Sequence, residues 1–113
     1  SHRQTLYLGL YTSPTSEPAE DATLSDLTEP NGNSYSRIAL TDSDWTVSGD
    51  LATHVEKTFT ATGPWGNVYG YFITTVETGT SGLLLAVEQF SNGPYNVQNN
   101  GDQIRITPKI RAA

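Results

Sequence analysis

The stretch Trp65 to Phe90, WGNVYGYFITTVETGTSGLLLAVEQF, decides the fold class of this chain. It predicts two long antiparallel strands joined by a turn at Glu77 to Ser81, where Gly, Thr and Ser replace the apolar residues. Along Val68 to Ile73 both alternating sets of residues are apolar or aromatic, so this strand is expected to be central and covered on both faces. Gly70 within it indicates a bulge or a close approach of another backbone. The stretch therefore predicts a scaffold, with only Trp65 and the turn free to meet a partner.

The rest of the chain shows the same pattern of short strands separated by turn residues. In Gln4 to Thr12, leucines alternate with Tyr and Gly, which is the period of a strand. In Thr53 to Ala61 one face is mostly apolar, and His54 falls on the polar face, where we expect it to be exposed. Gln103 to Ile110 closes the chain with isoleucines on one side. We predict an all-β fold: one domain over residues 1–113, an antiparallel β-sandwich of seven or eight strands, jelly-roll or immunoglobulin-like.

Composition supports this fold class and excludes several kinds of protein. The chain of 113 residues has ten Gly, six Pro and only 16% charged residues, which favours turns and strands over helices. It has no cysteine, so a disulfide framework and a thiolate metal site are both excluded. The longest apolar run, Leu83 to Val87, is far shorter than the roughly 20 residues that span a bilayer. We therefore expect no membrane partner.

The charge of the chain is acidic and unevenly distributed. A net charge of −6 disfavours nucleic acid as a partner. The segment from Ser13 to Pro30 contains five acidic residues and no basic residue, whereas basic residues cluster near the C-terminus. A solvated acidic loop and a basic edge strand explain this pattern most simply. The alternative is charge complementarity between neighbouring subunits, which orients partners more than it adds affinity.

Residues for catalysis or metal binding are sparse. Zinc needs three or four ligands held together, and the chain offers only two histidines, His2 and His54. Asp42-Ser-Asp44 lacks the spaced ligands of a calcium loop and is better explained as turn chemistry. Glu77 is predicted at a turn and Glu88 near the end of a strand, so the two do not indicate the pair of carboxyl groups across a cleft that a glycosidase needs. We therefore predict no enzyme, no metal and no cofactor.

Aromatic residues offer one further possibility. Amphipathic rings can stack on sugars and also form hydrogen bonds, so they could form a platform for a glycan. Packing in the core, with a few anchors at an interface, explains them more simply. The candidates are Trp45, Trp65, Tyr69, Tyr71 and Tyr95.

The order and spacing of four blocks resemble those of small virion proteins encoded by tailed bacteriophages. The resemblance implies a β-sandwich component of the particle, most plausibly a head decoration or cement protein, without catalytic residues. It also implies an attachment segment before the first strand, which we expect to be shortened or absent. The blocks are Leu6 to Tyr11 (LYLGLY), Ala22 to Glu29 (ATLSDLTE) running into Tyr35-Ser-Arg37, Val68 to Ile73 (VYGYFI) with Leu84 to Phe90 (LLAVEQF), and Gly101 to Ile110 (GDQIRITPKI).

The resemblance leads to an expected function and set of partners. We expect a protein on the phage head surface that binds the major capsid protein and its own copies, as a homo-oligomer and most plausibly a trimer, and stabilises the shell. The alternatives are a tail or fibre module that binds host glycan through Trp65 and Tyr95, and a tail-completion component. The predicted contact residues are Tyr7, Tyr11, Glu17, Glu20, Asp21, Trp65, Arg105, Lys109 and Arg111.

Overall fold

The computed structural model describes residues 5–12, 27–79, 81–90 and 93–111, and this part of the chain is all-β. It contains eleven short strands and a single 3₁₀ turn at Asp42–Asp44. The strands are β1 (Leu6–Tyr11), β2 (Ile38–Leu40), β3 (Trp45–Ser48), β4 (Leu51–His54), β5 (Lys57–Thr60), β6 (Gly66–Val68), β7 (Gly70–Thr74), β8 (Leu84–Gln89), β9 (Tyr95–Val97), β10 (Gln103–Ile106) and β11 (Lys109–Arg111).

The hairpin predicted from Trp65 to Phe90 forms the centre and one edge of a four-stranded antiparallel sheet. The strand order is β2-β1-β7-β8, so β7 lies inside the sheet and β8 ends it. All five residues of β7 are buried. One face of the sheet faces the main core through Leu8, Leu10 and Ile73, and the other packs around Tyr11 and Phe72. The prediction of a central strand covered on both faces is confirmed.

Two glycines allow aromatic rings to lie across neighbouring strands on the second face of this sheet. Gly9 of β1 stands opposite Phe72 of β7, and a Cβ at Gly9 would lie 2.3 Å from Phe72 Cζ. Two residues along, the arrangement is reversed: Tyr11 of β1 stands opposite Gly70 of β7. A Cβ at Gly70 would lie 2.1 Å from the backbone oxygen of Glu88 and 2.6 Å from the Tyr11 hydroxyl. The close approach predicted at Gly70 is therefore confirmed.

The strand predicted over Thr53 to Ala61 is interrupted by an irregularity that changes which residues are buried. β5 pairs with β10 and β4 pairs with β11, and the register shifts by one residue between the two pairs. The extra residue lies on the β4–β5 side, so side chains before it turn to the opposite face. His54 is consequently buried and Val55 is half exposed. The expectation of an exposed His54 is wrong.

Both ring nitrogens of His54 have partners within the fold. Nε2 lies 3.0 Å from the backbone N–H of Thr41, which donates to it, and Nδ1 lies 2.8 Å from the backbone oxygen of Val55. The ring also packs edge-on against Trp45, with 5.0 Å between the ring centres. His54 therefore holds the 3₁₀ turn and β3 against β4 and has a structural role.

The remaining sheets share one core with the four-stranded sheet. They are a three-stranded sheet of order β11-β4-β3 and two pairs, β10-β5 and β6-β9. The shared core gives a sandwich-like antiparallel arrangement. Eleven strands replace the seven or eight predicted because several long alternating segments are broken into two. The single-domain boundary and the jelly-roll and immunoglobulin-like alternatives stay predictions. Buried core residues come from seven strands and the β5–β6 connection: Leu8, Leu10, Leu40, Phe59, Ala61, Trp65, Val68, Tyr71, Ile73, Val97, Ile104 and Ile106.

Candidate functional site

The first strand provides less contact surface than the sequence predicted, and only Tyr7 stays a predicted contact on it. β1 is paired on both sides, with β2 and with β7, so it has no free backbone edge. Tyr11 is fully buried, and Tyr7 is half-buried on the same face of the sheet. The expectation that Tyr11 reaches a partner is thus corrected: its ring fills the space above Gly70 in the second face of the sheet.

Trp65 is also part of the core. Only 8% of its surface is exposed, and its ring packs edge-on against Tyr35 with 5.6 Å between ring centres. The indole Nε1–H is directed at the backbone oxygens of Gly32 and Asn33, each 3.2 Å away. Trp65 therefore secures the turn before β2. Its burial corrects the expectation that it serves as a glycan platform or a partner contact.

The charged candidates fall into two groups. Glu17, Glu20 and Asp21 lie outside the described residues, and so does most of the acidic segment. Arg105 and Lys109 are exposed, on β10 and β11 respectively. Arg111 is the last residue of β11. The charge complementarity between these two groups stays a prediction.

An accessible apolar surface lies at the edge strand β8 and the residue before it. The exposed fractions of Leu83 and Leu85 are 67% and 41%. The backbone of Leu83 is held firmly, because its oxygen accepts a 2.6 Å hydrogen bond from the Thr74 hydroxyl and its N–H donates to the Thr75 hydroxyl at 3.0 Å. Leu85 is the extra residue at a register shift between β7 and β8. The sequence predicted this strand as scaffold, whereas its outer edge is a candidate contact surface.

The backbone of β8 has hydrogen-bonding groups on its free side. Phe90 donates its N–H to the oxygen of Tyr69 at 2.9 Å, toward β7. Residues of an antiparallel strand direct their backbone groups alternately to the two sides, so those of Val87 and Gln89 point away from β7. Within the described residues, β8 pairs with no other strand. This edge is able to accept an additional strand.

The loop between β7 and β8 is held by a buried arginine, in an arrangement that we name the Arg37 latch and that consists of Glu29, Tyr35 and Arg37. Arg37 forms a bidentate pair with Glu29, at 3.0 Å from Nε to Oε1 and 2.8 Å from Nη2 to Oε2. Its guanidinium also donates to the backbone oxygens of Val76 at 3.0 Å and Gly79 at 2.8 Å. These bonds connect the segment before β2 to the loop that precedes the β8 edge.

Tyr35 links the latch to the core. Its hydroxyl donates to Glu29 Oε1 at 2.6 Å and accepts the N–H of Leu10 at 3.0 Å. Burial raises the pKa of the Tyr35 phenol far above its usual value, and the Glu29 carboxylate raises it further. Burial likewise raises the pKa of Tyr71, whose hydroxyl accepts the backbone N–H of Lys109. Both phenols therefore stay neutral and act as hydrogen-bonding groups.

A second candidate surface is an open groove of about 600 Å³ between β9 and β10. Its walls belong to different strand pairs, since β9 pairs with β6 and β10 pairs with β5. Tyr95 is 42% exposed at one wall, and Arg105 is exposed at the other. The residues lining this β9–β10 groove are Tyr95, Asn96, Val97, Asp102, Gln103, Ile104 and Arg105.

Within the described parts of the chain, no group of three or more His, Asp or Glu side chains is placed to hold a metal ion. No helix in those parts is long and apolar enough to cross a membrane.

Comparison with known proteins gives one informative match. Residues 2–110 match the family described as podophage GP4 fiber I protein gp80. The chain belongs to this family. It is therefore a phage virion structural protein, which confirms the coarser part of the sequence resemblance and places the protein in the virion. No curated protein and no solved structure was found to match the chain.

Proposed function

We propose that this protein is a self-associating subunit of a podophage tail fibre. The observation that carries the fibre assignment is the family match, which extends over residues 2–110 and so over nearly the whole chain. The all-β architecture is compatible with such a role, because a disulfide-free sandwich supplies rigid edges for contact between subunits. Head decoration, which the sequence resemblance favoured, is the competing location.

The edge of β8 is the surface that favours contact between copies. Leu83 and Leu85 expose apolar side chains beside backbone groups of Val87 and Gln89 that pair with no other strand in the described part of the chain. An exposed edge strand with apolar side chains is a template for pairing with another chain. A second copy is the occupant that we propose, because each copy presents the same β8 edge. A stable contact needs about 1,200 Å² in total, so β8 must be joined by neighbouring surface.

A charge introduced at the β8 edge is expected to separate the subunits. Leu85→Lys places an ammonium where the exposed leucine lies, and lysine on an edge strand disfavours pairing. Light scattering coupled to size exclusion should give a multiple of the 12.2 kDa chain mass for the wild type and the single-chain mass for the variant. A trimer, which stays a prediction, would have a mass of about 37 kDa, three times that of the chain.

Val47→Lys is the matched control for this experiment. Val47 is an aliphatic residue that is 67% exposed on β3, in a different sheet. The control variant should keep the wild-type mass. A monomeric wild type, or equal dissociation by both variants, would contradict self-association through β8.

Location in the particle tests the fibre assignment itself. Purified virions can be labelled with gold-conjugated antibody against the full chain and imaged by electron microscopy. We expect label at the tail and none distributed over the head. Label spread over the icosahedral head would instead support the decoration role and overturn the fibre proposal.

A further inference from the structure

Hydrogen bonds hold the β9–β10 groove in a fixed shape. The connection between its two walls is tightened by Asp102, whose Oδ2 accepts the backbone N–H groups of Gln98 at 3.1 Å and Asn99 at 3.0 Å. The same connection is tied to Ala61 in both directions. Gly101 donates to the oxygen of Ala61, and Ala61 donates to the oxygen of Asp102, each at 2.8 Å. The walls are therefore held at a defined separation, which lowers the entropic cost of binding a ligand.

Tyr95 presents a supported aromatic ring to the groove. Its ring packs against Phe90 at 4.9 Å between centres, and Phe90 packs in turn against Tyr71 at 6.5 Å. This aromatic support orients the Tyr95 ring while 42% of the residue stays exposed. A ring fixed in this way can stack on a ligand at low conformational cost.

The rest of the lining is polar and offers both donors and acceptors. Asn96 and Gln103 are exposed amides with capacity for further bonds: Asn96 Oδ1 accepts from Gln98 Nε2, and Gln103 Nε2 donates to Thr60 Oγ1. Arg105 contributes a guanidinium. In the described part of the chain, no carboxylate pairs with Arg105. The two apolar residues of the lining, Val97 and Ile104, are almost fully covered. A ligand therefore meets one aromatic ring and many hydrogen-bonding groups, with little aliphatic surface.

We propose that the β9–β10 groove binds a saccharide, with one sugar ring stacked on Tyr95 and its hydroxyl groups bonded to Asn96, Gln103 and Arg105. A sugar ring has an apolar face and a polar rim, which matches this division of the lining. The volume of about 600 Å³ falls within the range of roughly 300–1,000 Å³ typical of small-molecule sites. The inference rests on the proposed fibre function.

Other ligand classes fit the groove less well. A peptide bound for its side chains would need apolar pockets, and Val97 and Ile104 expose too little surface to form them. A nucleic acid would approach a protein whose net charge is −6, which weakens the attraction of its phosphates. Binding of these classes is therefore an outcome that would count against the proposal.

The test uses the full chain and defined oligosaccharides. An array of bacterial O-antigen and capsule repeat units should identify a bound saccharide, and calorimetry then gives its Kd. Tyr95→Ala should weaken binding at least about tenfold, and Tyr95→Phe, which keeps the ring, should stay within about threefold. Arg105→Ala should also weaken it, whereas Thr46→Ala, at an exposed position on β3, should have no effect.

Three outcomes would overturn the saccharide site. They are no binding to the array by wild-type protein, unchanged binding by Tyr95→Ala, and binding of unrelated peptides or nucleic acid in preference to sugars. The chain mass and the location of the label on the virion are measured on the same wild-type protein. Failure of the saccharide site therefore leaves the fibre proposal to be judged on its own results.

Discussion

Replacing Arg37 by methionine is expected to lower the free energy of unfolding by about 3 kcal/mol, because breaking a buried ion pair leaves its other members without partners. The Arg37 side chain is only 4% exposed, and its loss removes four hydrogen bonds and the contact of the guanidinium with the Phe72 ring. Methionine keeps the apolar stem of the side chain, so most of the measured loss reports the contacts of the guanidinium. Glu29 is 26% exposed, so the expected loss lies at the lower end of the roughly 3–5 kcal/mol that breaking a buried ion pair costs. Urea denaturation measures the change.

Arg105→Met is the matched control for the latch variant. It removes the same charge from an exposed position and should change stability by less than about 0.5 kcal/mol. Glu29→Gln combined with Arg37→Met should cost clearly less than the sum of the two single changes, because the residues act as one unit. Equal stabilities for Arg37→Met and the Arg105 control would show that the latch contributes nothing.

The central hairpin could be predicted from the sequence because its signal is local. Gly70 to Thr74 reads as a strand with two apolar faces, and such a strand has few stable positions other than the middle of a sheet. The turn residues after it select the antiparallel partner, β8. The latch could not be predicted in this way. Arg37 donates to loop carbonyls about 40 residues further along the chain, and no periodicity encodes that contact.

His54 shows where a correct local pattern gives a wrong conclusion. Alternation from Thr53 to Ala61 places His54 on the polar face. The extra residue between β4 and β5, however, turns the side chains of β4 to the opposite face. The signal for the interruption lies between the partner strands β10 and β11, where Pro108 has no N–H to donate to the ladder. His54 N–H instead bonds to the Pro108 oxygen at 2.9 Å. Recognising this requires knowing that the two segments pair.

The exposure of the large aromatic residues could not be predicted from the local pattern. Tyr11 and Trp65 are buried, and Tyr95 is the one aromatic of that group with a substantially exposed ring beside a groove. Exposure depends on which face of each strand meets the core, and it is decided by contacts between sheets. The same dependence explains why Leu83 and Leu85 are exposed, although the sequence predicted this segment as part of the scaffold.

Gly9→Ala is expected to lower the free energy of unfolding by about 2–3 kcal/mol, at the upper end of the usual cost of overpacking a core. The added Cβ would lie 2.3 Å from Phe72 Cζ and 2.6 Å from its Cε2. Phe72 is fully buried and carries the Arg37 guanidinium 5.3 Å from its ring centre, so the ring has little freedom to move away. Thermal and urea unfolding of the purified variant measure the loss.

A double substitution separates this clash from any loss of backbone flexibility at Gly9. Phe72→Leu removes the ring atoms that meet the new Cβ, at its own cost in buried apolar surface. If the clash is the cause, Gly9→Ala with Phe72→Leu should be at least about 1 kcal/mol more stable than the sum of the single effects predicts. Additive effects would mean that the ring does not require a glycine opposite it. Tyr11 of β1 lies opposite Gly70 of β7 in the same way, with the ring and the glycine on the other strand. Additive effects at Gly9 would therefore also argue against a steric need for glycine at position 70.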